Sequence, residues 1–163
     1  MTGRADRADT RPALVLSKYL PYRLSVASNK ASGLIARAYQ ARFGLTIWEW
    51  RVIAVLGEGE AITGQAICEA TAMDKVTVSR ALRALTERSL VRRRTSPTDK
   101  RAALVSLTGE GQAIYEEIAP LALQWEASLL EGFSEDEKHM LGSLLERLSL
   151  RADALARCGD ELP

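Results

Sequence analysis

A mainly helical fold carrying one small β-hairpin is what this 163-residue sequence predicts, and three observations carry that expectation. Long stretches repeat apolar residues at spacings of three and four, the period of a helix with one buried side. Two segments, Thr46-Ile-Trp-Glu49 and Ser134-Glu-Asp-Glu137, are capping boxes, in which a hydroxyl and a carboxylate three residues on exchange bonds with each other's backbone amides. Only between Leu90 and Leu107 does the helical period give way, to two short runs about the polar turn Ser96-Pro97-Thr98-Asp99.

Residues 1–15 are charged, small and aperiodic and are expected to form a flexible arm. A single domain should follow over 16–157, with 158–163 as a tail. Pro21 suits a first helical turn, and Leu24, Ala27, Ala31, Leu34, Ile35 and Ala38 mark one stripe of a long helix that Gly44 stops. The Thr46 box opens a second helix to about Leu56, with Leu45 and Trp50 at staple positions and Trp50, Ile53 and Ala54 or Leu56 inward. Gly57-Glu-Gly59 breaks it. Thr63 opens a short third helix carrying Ala66, Ile67 and Ala70. Asp74 can cap a fourth, with Val78, Ala81, Leu82 and Leu85 inward. Strands are expected over Leu90–Thr95 and Ala103–Leu107. Thr108 then caps a fifth helix bearing Ile114, Ile118, Leu121, Leu129 and Leu130, which Pro120 should kink or interrupt. The Ser134 box opens the last helix, with Leu141, Leu144, Leu145 and Leu148 on one side.

A short helix, the break Thr71-Ala72-Met73-Asp74, a second helix and a hairpin in that order describe a winged helix-turn-helix over 46–108. The flanking helices, 20–43 and 109–157, are too long and too apolar for so small a centre to cover. They are expected to bury that surface against a second copy, which would set two reading helices roughly 34–36 Å apart, one DNA turn.

Charge supports the same reading. Residues 75–101 hold nine Lys/Arg against Glu87 and Asp99, a net +7 in a chain whose total is +1, while residues 102–163 carry −8. Such concentration marks a polyanion-binding side, with the acidic C-terminal third pointing elsewhere. On the fourth helix the inward set leaves Lys75, Val76, Thr77, Ser79, Arg80 and Arg83 toward a groove. Arg80 suits bidentate recognition of guanine, and Val76 or Thr77 contact with a thymine methyl. Alternation along the first strand sends Arg93 to the opposite side from Arg92 and Arg94; phosphate contacts are the assignment for this arginine run, and Lys100 joins Arg92 and Arg94 among the DNA-binding residues. Arg101, at the wing tip, suits a narrow minor groove, with Asp99 orienting it. The competing reading of Arg80 and Arg83 is a solvated helix surface with local ion pairs.

Other classes find little footing. No apolar run approaches the ~18 residues of a membrane span, and the N-terminus lacks the apolar core of an export signal, so a cytoplasmic location is expected. Cys68 and Cys158 have no zinc spacing. Cys68 reads as a small buried hydrophobe, and nothing near Cys158 activates a thiol. His139 is the only histidine. With no triad, metal site or phosphate-binding loop, neither an enzyme nor a cofactor is expected.

Asp99-Lys100-Arg101, Leu104-Val105-Ser106-Leu107-Thr108 and Gly111 resemble the wing pattern D-x-R-x-x-x-L/V-x-L-T-x-x-G of the multiple-antibiotic-resistance repressor (MarR) family. Upstream, Ser79-Arg80-Ala-Leu82-Arg-Ala-Leu85 and Leu90-Val91-Arg92-Arg93 resemble that family's reading helix and first wing strand. The resemblance spans about residues 20–150. It implies a dimeric DNA-binding regulator, usually a repressor on a pseudo-palindromic operator, released by a small phenolic ligand or by cysteine oxidation. No cysteine precedes Cys68, which argues against the oxidation mode that the family places near its first helix. The segments Leu-Pro-Tyr-Arg-Leu-Ser and Ile-Trp-Glu-Trp-Arg look similar to regulators of aromatic-acid breakdown. The effector would then be a phenolic acid or its coenzyme A thioester.

For such a ligand the expected place is the junction of the first, second and fifth helices. Ser28, Ser32, Arg37, Trp48, Trp50 and Arg51 are its candidate contacts, as an aromatic wall with a few polar groups. Each has a plainer reading: Trp50 as core and staple, Ser28 and Ser32 as helix-packing residues. Two other functions stay open, a winged-helix regulator with no small-molecule effector and an adaptor whose basic wing docks an acidic protein.

Overall fold

The structure is a computed structural model that describes residues 13–95, 97 and 102–157. Its elements are α1 (Leu20–Phe43), α2 (Ile47–Gly57), β1 (Ile62–Thr63), α3 (Gly64–Thr71), α4 (Lys75–Glu87), β2 (Val91–Thr95), β3 (Ala103–Leu107), α5 (Gly109–Leu129) and α6 (Glu135–Arg157). The expected arm up to residue 12 and the tail from Cys158 lie outside the described residues, as do Ser96 and Thr98–Arg101 at the wing tip.

Local chemistry sets the helix ends. Gly44 takes the left-handed conformation that glycine adopts cheaply (φ 62°), and its N–H returns to the Gln40 carbonyl, closing α1. At the start of α2 the Thr46 N–H donates to the Glu49 carboxylate (2.6 Å) and the Glu49 N–H to the Thr46 hydroxyl (3.2 Å). This reciprocal box explains why Glu49 is the one acidic residue among the described buried set. The Thr63 hydroxyl accepts from Ala66 N–H (3.1 Å) and starts α3. Thr108 starts α5 in the same way, through Gly111 N–H (3.1 Å).

The sheet has the order β1-β3-β2, antiparallel throughout. Val91 pairs with Leu107, Arg93 with Val105, and Ile62 with Val105 from the other side. The two-residue strand β1 was not anticipated; so short a segment has no period of its own and becomes a strand only because β3 offers it an edge. The first wing strand begins at Val91, one residue later than expected, because the Leu90 N–H is spent on Leu85 O (2.9 Å) at the end of α4.

Val52, Ile53 and Leu56 of α2, Ile67 of α3, Val78, Ala81, Leu82 and Leu85 of α4, Val91, Val105 and Leu107 of the sheet and Ile118 of α5 make one buried core, with Tyr39 of α1. All four α4 residues expected inward are buried. Gly111 is where α5 crosses the start of the wing. A Cβ there would sit 2.0 Å from the Leu90 carbonyl oxygen, so only glycine lets the two backbones pass.

The chain forms two compact units, the first reaching Ala119 and the second starting at Pro120. Of the two outcomes expected at Pro120, a kink or an interruption, the interruption does not occur: α5 continues to Leu129. The bond a proline forfeits is to the carbonyl four residues back, here Glu116, and both residues are exposed, so water can take that carbonyl. In the second unit the Ser134–Glu137 box opens α6 as expected. Met140, Leu141, Leu144, Leu145, Leu148 and Leu155 of α6 all lie exposed.

Candidate nucleic-acid interface

The helix-turn-helix is made by α3, the turn Ala72–Asp74 and α4. Ala72 sits in the left-handed region (φ 53°), giving the sharp reversal, and Met73 fills the space beneath. Asp74 accepts from the Thr77 N–H (2.9 Å) and from its hydroxyl (2.6 Å). These bonds, the hydroxyl first and then the amide, hold the Asp74 carboxyl below its ordinary range. The Thr77 hydroxyl is therefore committed to the cap, leaving only its methyl for a base.

With four residues of α4 packed inward, Lys75, Val76, Ser79, Arg80 and Arg83 line one open groove along its outer side. Val76 is 58% exposed, an apolar side chain presented to solvent between cations. Two further recesses flank the helix. On the wing side, Ser79 and Arg83 meet Arg93 of β2. On the α2 side, Thr77, Arg80, Ala81 and Ala84 meet Thr46, Trp48 and Glu49.

Arg93 is the residue that sequence reasoning left out. Alternation separates Arg93 from its neighbours, and the packing of Val91 fixes the side: Val91 is buried, so Arg93, two residues on, shares the core side of the sheet and emerges beside α4. Arg92 lies on the other side, where its guanidinium donates to the Ser106 hydroxyl (3.1 Å), and Arg94 shares that parity opposite Leu104. The burial of Val91 was the signal available. Lys100 and Arg101 fall outside the described residues. Arg88 follows α4 and is turned away from the groove set: it donates to Phe43 O (2.6 Å) and Gly44 O (3.3 Å).

The six residues proposed around a ligand do not come together. Trp48 and Trp50 are two positions apart on α2, about 200° around its axis, and cannot share one wall. Trp48 is 45% exposed toward α4, with the Arg51 guanidinium 5.4 Å from its ring centroid. Trp50 instead lies between Tyr39 of α1 (centroids 5.6 Å) and Tyr115 of α5 (6.3 Å, nearly parallel). On α1, Ser28 and Arg37 are exposed and Ser32 half-buried. The junction of α1, α2 and α5 is thus aromatic as expected, but through two tyrosines the sequence reading did not name. Tyr39 is 1% exposed, and burial pushes its hydroxyl up to about 12, with Arg51 opposing. The Tyr115 ring packs where a Cβ on Gly57 would lie, 2.4 Å away.

A family model described as MarR family matches residues 43–102, from the end of α1 to the foot of β3. YwoH of Bacillus subtilis (strain 168), an uncharacterized HTH-type transcriptional regulator, is 33% identical over 119 residues, covering 71% of this chain and 86% of the relative. A MarR/EmrR family transcriptional regulator from Acinetobacter sp. ADP1 superposes with a TM-score of 0.80 at 31% identity, over 86% of this chain and 99% of that one. The chain belongs to the MarR family. BpsR of Bordetella bronchiseptica, whose DNA binding is regulated by 6-hydroxynicotinic acid, is similar at 27% identity and a TM-score of 0.75, over 84% and 97% of the two chains.

Other features of this MarR-family chain fall into place by burial. Cys68 of α3 is half-buried, packs against the core and lines a recess of about 280 Å³ beside Lys75, Ser79 and Arg93. It is less enclosed than the sequence suggested, because α3 is short and its outer edge faces the wing. His139 is exposed, with Nδ1 against Glu135 O (3.0 Å). Among the described residues no cluster of His, Cys, Asp and Glu is placed to hold a metal ion, and no helix is long and apolar enough to cross a membrane.

Proposed function

We propose that two copies of this MarR-family regulator bind a pseudo-palindromic operator and repress transcription until a small aromatic ligand releases them. The observation that carries the DNA reading is the outer side of α4. Lys75, Ser79, Arg80 and Arg83 stand clear of a fully packed inner side, Val76 lies exposed among them, and Arg93 stands alongside. Arg80 reads bases, Lys75 and Arg83 contact bases or phosphates, and Arg92, Arg94 and Lys100 hold phosphates while Arg101 enters the minor groove.

The dimer reading rests on the apolar side chains that α6 leaves exposed, an expanse that a soluble single chain rarely keeps. The ligand reading rests on chemistry. An aromatic acid regulates BpsR, and the Tyr39–Trp50–Tyr115 stack places aromatic rings between α2, which leads toward the reading helix, and α1 and α5. A ligand favouring one arrangement of the pair lowers DNA affinity by the ratio of its affinities for the two.

Fluorescence anisotropy on duplexes at rising salt tests the DNA reading; affinity should fall steeply, with about 0.9 logarithmic units per log unit of salt for each phosphate neutralised. Analytical ultracentrifugation should give a dimer, and melting shifts across phenolic acids and their coenzyme A thioesters should single out a stabilising ligand. A monomer that binds no duplex would refute the proposal.

A further inference from the structure

The recess on the α2 side of α4 holds Trp48 beside Thr77 and Arg80. We infer that Trp48 of α2 donates its indole N–H to a backbone phosphate of the strand that α4 does not reach from the wing side. The inference rests on α4 being the helix that enters the groove. A major groove about 12 Å wide is filled by one helix, so the two sugar-phosphate strands rise along the helix's two flanks. On one flank stands the wing, with Arg93 beside Ser79 and Arg83. On the other stands the first turn of α2, with Trp48 beside Thr77 and Arg80.

Exposure alone would mean little, since single apolar side chains often face water. Placement and chemistry decide. Arg51, one turn further along α2, lies with its guanidinium 5.4 Å from the Trp48 ring centroid, which steadies the indole and adds positive charge. The carboxylate in the same recess does not oppose a phosphate: Glu49 is 7% exposed and turned onto the Thr46 N–H. An indole offers a donor and no acceptor, which suits phosphate oxygens and carries no sequence information.

The test uses the full-length protein and two labelled duplexes of about 30 base pairs, one selected by the protein from a random pool and one unrelated. Anisotropy titrations compare wild type, Trp48→Phe and Arg80→Ala, with melting curves confirming that each variant is folded. Trp48→Phe keeps an aromatic ring beside Arg51 and removes the indole N–H together with its five-membered ring. It should bind about ten-fold more weakly to both duplexes, the loss of one hydrogen bond to a charged group. The preference between duplexes and the salt slope should stay at the wild-type values, because a neutral donor releases no counterion. Arg80→Ala should instead erode the preference. Wild-type binding by Trp48→Phe on both duplexes, with Arg80→Ala impaired, would overturn the Trp48 contact and leave the DNA reading standing. A change of preference in Trp48→Phe would overturn the phosphate assignment. Wild-type protein without salt-sensitive duplex binding would remove the reading on which both depend.

Discussion

The guanidinium of Arg88 lies 2.6 Å from the carbonyl oxygen of Phe43, so the residue that follows α4 holds the last turn of α1. A helix leaves its final carbonyls without internal partners and concentrates negative charge there, and a forked cation answers both. A positive residue inside the most basic stretch of the chain is thereby spent on structure.

Arg88→Ala should lower stability by about 1 kcal/mol, less than the usual ~1.5–3 kcal/mol for a charged hydrogen bond because the pair is exposed. Urea midpoints for Arg88→Ala and Arg88→Lys check it. Lysine keeps the charge but not the fork, so it should fall between. Equal midpoints for all three proteins would show that the contact contributes nothing.

Gly111→Ala should be among the costliest single changes in the chain. The added methyl would fall 2.0 Å from Leu90 O, a backbone atom that also accepts from the Thr108 N–H (3.1 Å) and cannot swing aside. A loss of about 3 kcal/mol is expected from forced separation of α5 and the wing strand. Thermal denaturation at a wild-type melting temperature would contradict it.

Ala72→Gly should have the opposite sign. Ala72 carries a φ of 53°, which strains any residue with a Cβ, and its side chain is exposed, so glycine would forfeit little buried surface. Relief of about 0.5–1 kcal/mol is expected, net of the added freedom of the unfolded chain. A lowered melting point would mean that the strain is not felt.

Acid should loosen the start of α4 first through Asp74. Its carboxyl titrates below the ordinary 3.8 because Thr77 donates to it. A carboxyl whose pKa is lower folded than unfolded contributes stability that is complete above the unfolded value. That contribution is lost as pH falls from about 4 through the lowered folded value. Asp74→Asn, which still caps but does not titrate, should flatten this part of the stability-pH curve. Unchanged acid dependence in urea melts at stepped pH would rule Asp74 out as a contributor.

Arg93→Ala should weaken specific and unrelated DNA alike and reduce the salt slope by about one contact, whereas Arg80→Ala should cost about 1–3 kcal/mol on the operator and relax its preference. Anisotropy across a salt series separates them. A full salt slope in Arg93→Ala would show that its place beside Ser79 and Arg83 leaves it clear of phosphate.

Much of this protein was legible before any fold was known. Both capping boxes, the Gly44 stop, the Asp74 cap and the four inward residues of α4 were read from hydroxyls, carboxylates and spacings within a few positions of one another. The same local reasoning allowed Pro120 to kink or interrupt α5; the interruption does not occur, because whether a helix survives a proline depends on who can reach the orphaned carbonyl.

By itself the sequence determined the order of the six helices and the two wing strands, the buried side of α4 and the stretch where positive charge gathers, since these follow from bonds and periods along the chain. Only the tertiary structure decided that Arg93 rather than its neighbours stands beside α4, that Arg88 is given to Phe43, and that Trp48 and Trp50 serve different surfaces. Each of those outcomes depends on which distant backbone lies alongside, and packing of the whole core selects that neighbour.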